Sequence, residues 1–356
     1  MLIISTFATI RGYVIDIISS MNCLEERWMK QRMFGRTGRR VSEVGFGSWG
    51  IGGGQWTEIP DREALDALTT ALDLGVTFID TADVYGDGRS EKLIAQALRG
   101  RSGSRPYIAT KAGKRLPTQV TSGYTVENLR EWVKRSRDYL EVDILDLVQL
   151  HCPPTDLYYQ PSVFDALDRL QDEKLIRNYG VSVEKIEEAI KAIEYPNVVS
   201  VQIIFNILRQ RPLDLFLDLA KKKNVAILAR VPLASGLLSG KFTLASTFDK
   251  ADHRNFNRNG EFFDVGETFS GMPYEKGLEV VEKIRPFVGN GHMAQLALRW
   301  ILMFDAISVV IPGARTVAQA RDNAGASDLP ALSPETMAKL RAIYDADVKP
   351  YVHQRW

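Results

Sequence analysis

FIDTADVYGDGRSE at 78–91 begins as the apolar end of a strand, passes into acids, a tyrosine and glycines, and runs on into the helical pattern SEKLIAQALRG. With Val76 and Thr77 in front of it, the stretch reads as strand, polar loop and helix. Asp80, Asp83 and Tyr85 are bunched where the buried strand runs out. A surface turn, a metal site and the acid end of an active site would each account for such a cluster.

The same unit recurs along the chain. Apolar, β-branched runs fall near 43–47 (EVGFG) and at 76–80 (VTFID), 107–110 (YIAT), 144–150 (ILDLVQL), 176–182 (IRNYGVS), 198–203 (VVSVQI), 225–230 (VAILAR) and 307–312 (ISVVIP). Between them stand REALDALTTALDLG, TVENLREWVKRSRDYL, EKIEEAIKAIE, PLDLFLDLAKKK and MAQLALRWILMF, with apolar residues at three- and four-residue spacing. Strand then helix, eight times, implies parallel strands joined by right-handed crossovers, which close most economically into a (β/α)8 TIM barrel. A doubly wound open sheet is the alternative, and it would carry a glycine-rich turn and then a crossover helix after its first strand. GFGSWGIGGG is glycine-rich, but no clear helical pattern starts there.

Two segments depart from the repeat. After the seventh barrel strand, about fifty residues between VPLASGLLSGK and MAQLALRW show little periodicity, which is the texture of a functional lid. Ahead of the first barrel strand, MFGRTGRRVSEVGF reads as a β-hairpin turning at Thr37 and Gly38 and plugging the barrel floor.

Bulk properties narrow the function classes. The 356 residues are 45% hydrophobic and 25% charged, with 45 basic against 44 acidic side chains. That near-neutral balance gives no footprint for nucleic acid or an anionic membrane. Lys221, Lys222 and Lys223 are the largest basic run, at an expected helix end where they complement the helix dipole. Two cysteines, Cys23 and Cys152, lie far apart, which fits a reducing cytoplasm rather than a disulfide framework. None of the four histidines forms an H-E-x-x-H pair, so a zinc hydrolase is not indicated. Residues 1–28 are apolar but interrupted by Arg11 and Asp16. They are expected to lie outside the folded unit, with Met29 as the natural start and residues 29–356 as a single barrel domain.

Active sites of barrels are built where the parallel strands end. Asp80 ends the second strand with Tyr85 in its loop, Lys111 ends the third, and His151 ends the fourth. Each has a structural reading alone: a turn cap, a packing residue, a solvated lysine, a core histidine. Three consecutive strands delivering them to one rim favours chemistry. An ammonium within reach of a tyrosine lowers its pKa, so Lys111, held charged by Asp80, would let Tyr85 give a proton to a developing alkoxide, with His151 polarising the same oxygen. No strong nucleophile is present, which points to proton and hydride transfer.

These strings, with GVSVE, VQIIFN, VPLASGLLSGK and IPGARTVAQARDN, resemble the aldo-keto reductase superfamily from about Met33 to Ala346, with bacterial single-chain reductases nearest in phrasing. The resemblance implies that Asp80, Tyr85, Lys111 and His151 are the catalytic tetrad, that Tyr85 is the proton donor, and that no metal is used. It also implies an NADP(H) site. Ser182 and Gln202 would hold the nicotinamide carboxamide, with Ser48 beside them. Leu233, Ser235, Gly236 and Lys241 would serve the pyrophosphate. Arg315 would take the 2'-phosphate, and Gln319 and Asn323 the adenosine end.

Three positions depart from the family pattern. Arg230 stands where an aromatic ring often stacks on the nicotinamide; it could reach the pyrophosphate, a substrate acid, or only a neighbouring carboxylate. Val183 replaces a common asparagine. Gly313, in the expected cofactor set, replaces a lysine. Trp49 and Trp56 are expected to line the substrate pocket, with His253 and Arg254 as pocket, lid or packing residues. The resulting expectation is an NADPH-dependent reductase of aldehydes or ketones acting on a small-molecule carbonyl. The alternatives are a Schiff-base barrel lyase using Lys111 and a cofactor-bound regulatory subunit.

Overall fold

A computed structural model describes residues 29–289 and 291–356; the expected extension, residues 1–28, lies outside them. Two short strands, β1 (Gln31–Met33) and β2 (Arg40–Ser42), pair antiparallel. Gly38, at φ 72°, takes the left-handed turn position between them, which glycine adopts without steric cost.

Eight parallel strands follow: β3 (Phe46–Gly47), β4 (Phe78–Asp80), β5 (Tyr107–Ala112), β6 (Leu145–His151), β7 (Ile176–Ser182), β8 (Val198–Ile204), β9 (Ala226–Arg230) and β10 (Ile307–Val310), each beside the next in chain order. The two ends of the sheet meet. Val44 and Gly47 bridge to Val310 and Gly313, and the Gly45 and Gly47 amides donate to Val310 and Pro312 at 2.8 and 2.9 Å. A side chain at Gly47 would put its Cβ 2.7 Å from the Ile311 carbonyl oxygen, so only glycine lets this seam close. The expected (β/α)8 barrel is the observed fold.

Alternation along the strands makes two cores. Phe78, Tyr107, Ala109, Leu147, Leu228 and Val309 cluster inside the barrel with Phe34 and Val41 of the hairpin. The intervening Ile79, Ile108, Val148, Ile227 and Val310 pack outward in a larger cluster shared with the helices. Phe34 is fully buried, its ring 5.2 Å from Phe78 and 5.3 Å from Tyr107. The hairpin therefore plugs the floor as expected. One step above this apolar layer, the same inward face turns polar, with Asp80, Lys111, Gln149, His151, Ser182 and Gln202.

The outer helices follow their apolar spacing. Val126–Leu140 is capped by the Thr125 hydroxyl, which accepts from the Asn128 amide at 3.3 Å, and it buries Leu129, Trp132, Val133, Ser136 and Leu140 along one stripe. The long segment after β9 differs from the expectation. It contains an 11-residue helix, Tyr274–Ile284, burying Gly277, Val280, Val281 and Ile284, while residues ahead of it form single turns such as His253–Phe256 and Val265–Glu267. Its lack of periodicity ends at Tyr274. A further helix, Pro334–Ile343, leads to a closing segment that buries Tyr344, Val348, Val352 and Trp356. Among the described residues no helix is long and apolar enough to cross a membrane.

If the Phe34 ring is the floor of the inner core, Phe34→Ala lowers unfolding free energy by about 3–5 kcal/mol through lost burial and a cavity. Leu244, 73% exposed, changed to alanine shifts it by less than about 0.5 kcal/mol. Urea denaturation of the two variants measures the difference.

Candidate active site

Strand register places the expected residues at one level. Asp80 pairs with Ala109 across β4 and β5, so Lys111 lies two residues further along the same face. Its Nζ donates to Asp80 Oδ2 at 2.7 Å, to the Thr81 carbonyl at 3.0 Å and to the Tyr85 hydroxyl at 3.0 Å. Gln202 Nε2 donates to the other Asp80 oxygen at 2.7 Å. Every proton of the buried ammonium and both carboxylate oxygens are thereby engaged, the condition under which a buried ion pair is tolerated. The His151 ring lies 6.0 Å from that of Tyr85, edge to face.

Burial sets the protonation states. Burial alone would discharge Lys111, but Asp80 and Tyr85 outweigh it and hold its pKa above the ordinary value. Tyr85 is pushed up to about 12 by burial, with Lys111 pulling down and Asp80 pushing up. The lowering by the ammonium expected from sequence is real, but desolvation exceeds it, so Tyr85 stays a protonated phenol at neutral pH. Burial, then Lys111, Lys114 and Arg230, drive His151 far below its ordinary value. It is neutral, and its Nδ1 has no hydrogen-bond partner among the described residues.

The tyrosine loop is held by close backbone approach. Gly86 has φ +60°, and a Cβ there would fall 1.9 Å from the Gly52 carbonyl oxygen. Asp83, the third polar residue bunched at this strand end, is fully buried beneath the loop, 3.4 Å from Arg115 Nε. Burial, then the neighbouring Glu91, raises its pKa to about 7.

A cavity of about 1070 Å³ opens over these groups and reaches the far helix N-terminus. Tyr85 and His151 line it together with Ser182, Gln202, Arg230, Leu233, Ser235, Gly236 and Lys241, and at its other end Gly313, Arg315, Gln319 and Asn323. Ser48 is not brought in. Its hydroxyl donates to the Asp80 carbonyl at 2.7 Å and receives Ser90 Oγ at 2.7 Å, pinning β3 to β4 within the wall. Ser235 is largely committed too: its hydroxyl donates to the Glu267 carbonyl at 2.8 Å and accepts from the Phe269 amide at 3.2 Å. Arg230 forms an ion pair with Glu267 and donates to the Val183 carbonyl at 2.8 Å. Arg315 reaches across to the Thr57 carbonyl, and Asn323 donates to that of Gly313 at 3.1 Å.

One side of the cavity is aromatic. Trp49 stacks toward Tyr85 at 6.2 Å and meets Trp56 at 5.4 Å. His253, 4.7 Å from each indole, backs this wall, and Arg254 lies 4.7 Å over Trp56. The lining also includes Lys114, Glu184 and Glu267, which the sequence alone does not single out. Lys114 had a signal, three residues past Lys111 on the same mouth. Glu267 had none, because it comes from the aperiodic segment. Cys152, Glu184 and Glu267 present ligand atoms within 4.8 Å of one another, but the Arg230 guanidinium already occupies Glu267.

The sequence model of the Aldo/keto reductase family matches residues 43–345. The chain belongs to the aldo/keto reductase family. The uncharacterized oxidoreductase YqkF of Bacillus subtilis is 28% identical over 323 residues, 90% of this chain and 98% of that protein. The holo form of aldo-keto reductase AKR11C1 from Bacillus halodurans superposes with a TM-score of 0.71 at 26% identity, covering 91% of this chain and 99% of that one. An aldo/keto reductase from Klebsiella pneumoniae, solved in complex with NADP and acetate, shares the fold at 22% identity with a TM-score of 0.64, covering 89% and 96%. This family member thus carries the Asp-Tyr-Lys-His cluster on a barrel of the family's architecture.

Asp83 gives a pH-dependent test of the site's underside. A carboxyl whose folded pKa is raised contributes stability at low pH that is lost as pH rises through the folded value. Wild type therefore loses stability between about pH 4 and pH 7 relative to Asp83→Asn, which carries no such titration. Melting temperatures of both proteins across that range should diverge in favour of the variant as pH rises.

Proposed function

We propose that the protein is an NADPH-dependent oxidoreductase that reduces aldehyde or ketone carbonyls to alcohols, with Tyr85 as proton donor. The observation that carries this reading is the Tyr85 hydroxyl held 3.0 Å from an ammonium that is itself fixed 2.7 Å from Asp80. Such a phenol keeps its proton at neutral pH, and the adjacent positive charge stabilises the phenolate left after transfer. His151, neutral and on the same cavity wall, can polarise the carbonyl oxygen without adding a second positive charge beside Lys111. Asp80 keeps Lys111 charged, which disfavours the alternative of a Schiff-base nucleophile.

The residues present suit a phosphorylated dinucleotide. The cavity is long enough to run from Tyr85 to Asn323, and Gln202 has an amide oxygen left over after donating to Asp80. Arg315, whose Nε has no partner among the described residues, and Lys241 would hold its phosphates. That group would supply the hydride; the chain's part is to fix the carbonyl between Trp49 and His151 and to deliver the proton from Tyr85.

The decisive comparison is NADPH oxidation with a panel of aldehydes and ketones in wild type and Tyr85→Phe. Turnover should fall by roughly 10²–10⁴-fold while NADPH binding, followed by fluorescence, persists. NADPH bound without any wild-type turnover would replace this reading by the regulatory one.

Arg315→Ala should weaken NADPH binding roughly 10- to 100-fold through loss of a charge-assisted hydrogen bond and leave NADH binding unchanged. An unaltered NADPH to NADH preference in titration calorimetry would remove Arg315 from the 2'-phosphate.

A further inference from the structure

Trp356 lies outside the cavity lining, yet it is the keystone of the segment that supplies one cavity wall. Its side chain is buried, and its indole Nε1 donates to both Asp264 oxygens at 2.9 and 3.1 Å. The buried Arg209 guanidinium sits 3.5 Å from the centre of its ring, a cation–π contact strengthened by the absence of water. Against its other edge lies Gly271, where a Cβ would be 2.4 Å from the indole Cη2. The ring is thus gripped at its polar edge, on its face and along its far edge.

All three grips act on one stretch of chain. Asp264 also accepts from the Gly266 amide at 2.7 Å, and Arg209 Nη1 donates to the Ser270 carbonyl at 3.2 Å. Between them Phe269 and Ser270 take left-handed φ of 51° and 58°, a conformation that non-glycine residues hold only when the surroundings impose it. Inside this stretch is Glu267, whose carboxylate pairs with Arg230, and Arg230 Nη2 lies 3.7 Å from Cys152 Sγ on the cavity floor beside His151.

We infer that Trp356 is a positioning residue of the cavity: by fixing the 264–271 segment through Asp264, Arg209 and Gly271, it keeps Glu267 seated on Arg230 and so sets the part of the cavity lining that Glu267 supplies. The role in substrate binding rests on the reductase reading above; the role in seating Glu267 does not.

The thiol of Cys152 reports on this seating independently of turnover. Burial, with Glu184 and Glu267 adding to it and Arg230 opposing, pushes that thiol up to about 11. Withdrawal of Glu267 leaves Arg230 to favour the thiolate, the reactive form. The experiment uses the full chain with Cys23→Ser, so that Cys152 is the remaining cysteine of the two. Iodoacetamide labelling of the folded protein, melting temperature and carbonyl kinetics are then compared for Trp356→Ala, Trp356→Phe and Asp264→Ala.

Trp356→Ala and Asp264→Ala should label about tenfold faster, as expected for a thiol pKa lowered by about one unit, and should raise KM several-fold with kcat within about twofold. Trp356→Phe, which keeps the stack on Arg209 but loses the indole N–H, should fall between them and wild type. Lowered melting temperature with unchanged labelling and KM would overturn the inference. If Trp356→Ala fails to fold, Asp264→Ala decides on the same criteria. Faster labelling in a protein that turns over no carbonyl would uphold the seating of Glu267 and defeat the reductase reading alone.

Discussion

The Lys111–Asp80 pair is the constraint around which the upper barrel is arranged. An ion pair with almost no access to water is stable only if the remaining hydrogen-bonding capacity of both groups is met. Gln202 from β8, the Thr81 carbonyl and the Tyr85 hydroxyl meet it here. With Asp80 on β4 and Lys111 on β5, pair and partners together draw on three strands and a loop, so satisfying the pair fixes their relative height. The tyrosine hydroxyl is located by the needs of the lysine, and its chemical usefulness follows from that location.

The same low-dielectric setting separates the protonation states of neighbours that would titrate ordinarily in water. The phenol keeps its proton, the imidazole stays neutral, and the ammonium stays charged because a carboxylate is in contact with it. Charge is thus concentrated on one pair, and the groups facing the cavity are neutral hydrogen-bonding groups beside a fixed positive field.

What could be read from the sequence was whatever is periodic or fixed by a strand end. β-branched runs gave the eight strands, and their termini gave Asp80, Lys111 and His151, because in a parallel barrel the end of a strand is a place in space. Side-chain commitments were not legible in the same way. Ser48 turns to the Asp80 carbonyl 32 positions away, and Ser235 to the Glu267 carbonyl 32 positions on; only the folded chain brings such partners together. The burial of Asp83 could not be read because it depends on what packs beneath it, here Arg115 and Glu91. Glu267 and Trp356 belong to segments whose conformation is imposed by contacts rather than by local pattern.

The hairpin seal has a consequence for traffic. With Phe34 wedged among Phe78 and Tyr107, the tube is corked at one end, and the cavity lies at the other, among the strand ends. Two molecules that must meet in such a vessel cannot approach from opposite sides. They meet from the side of the strand ends, so the sealed floor turns the barrel from a passage into a cup.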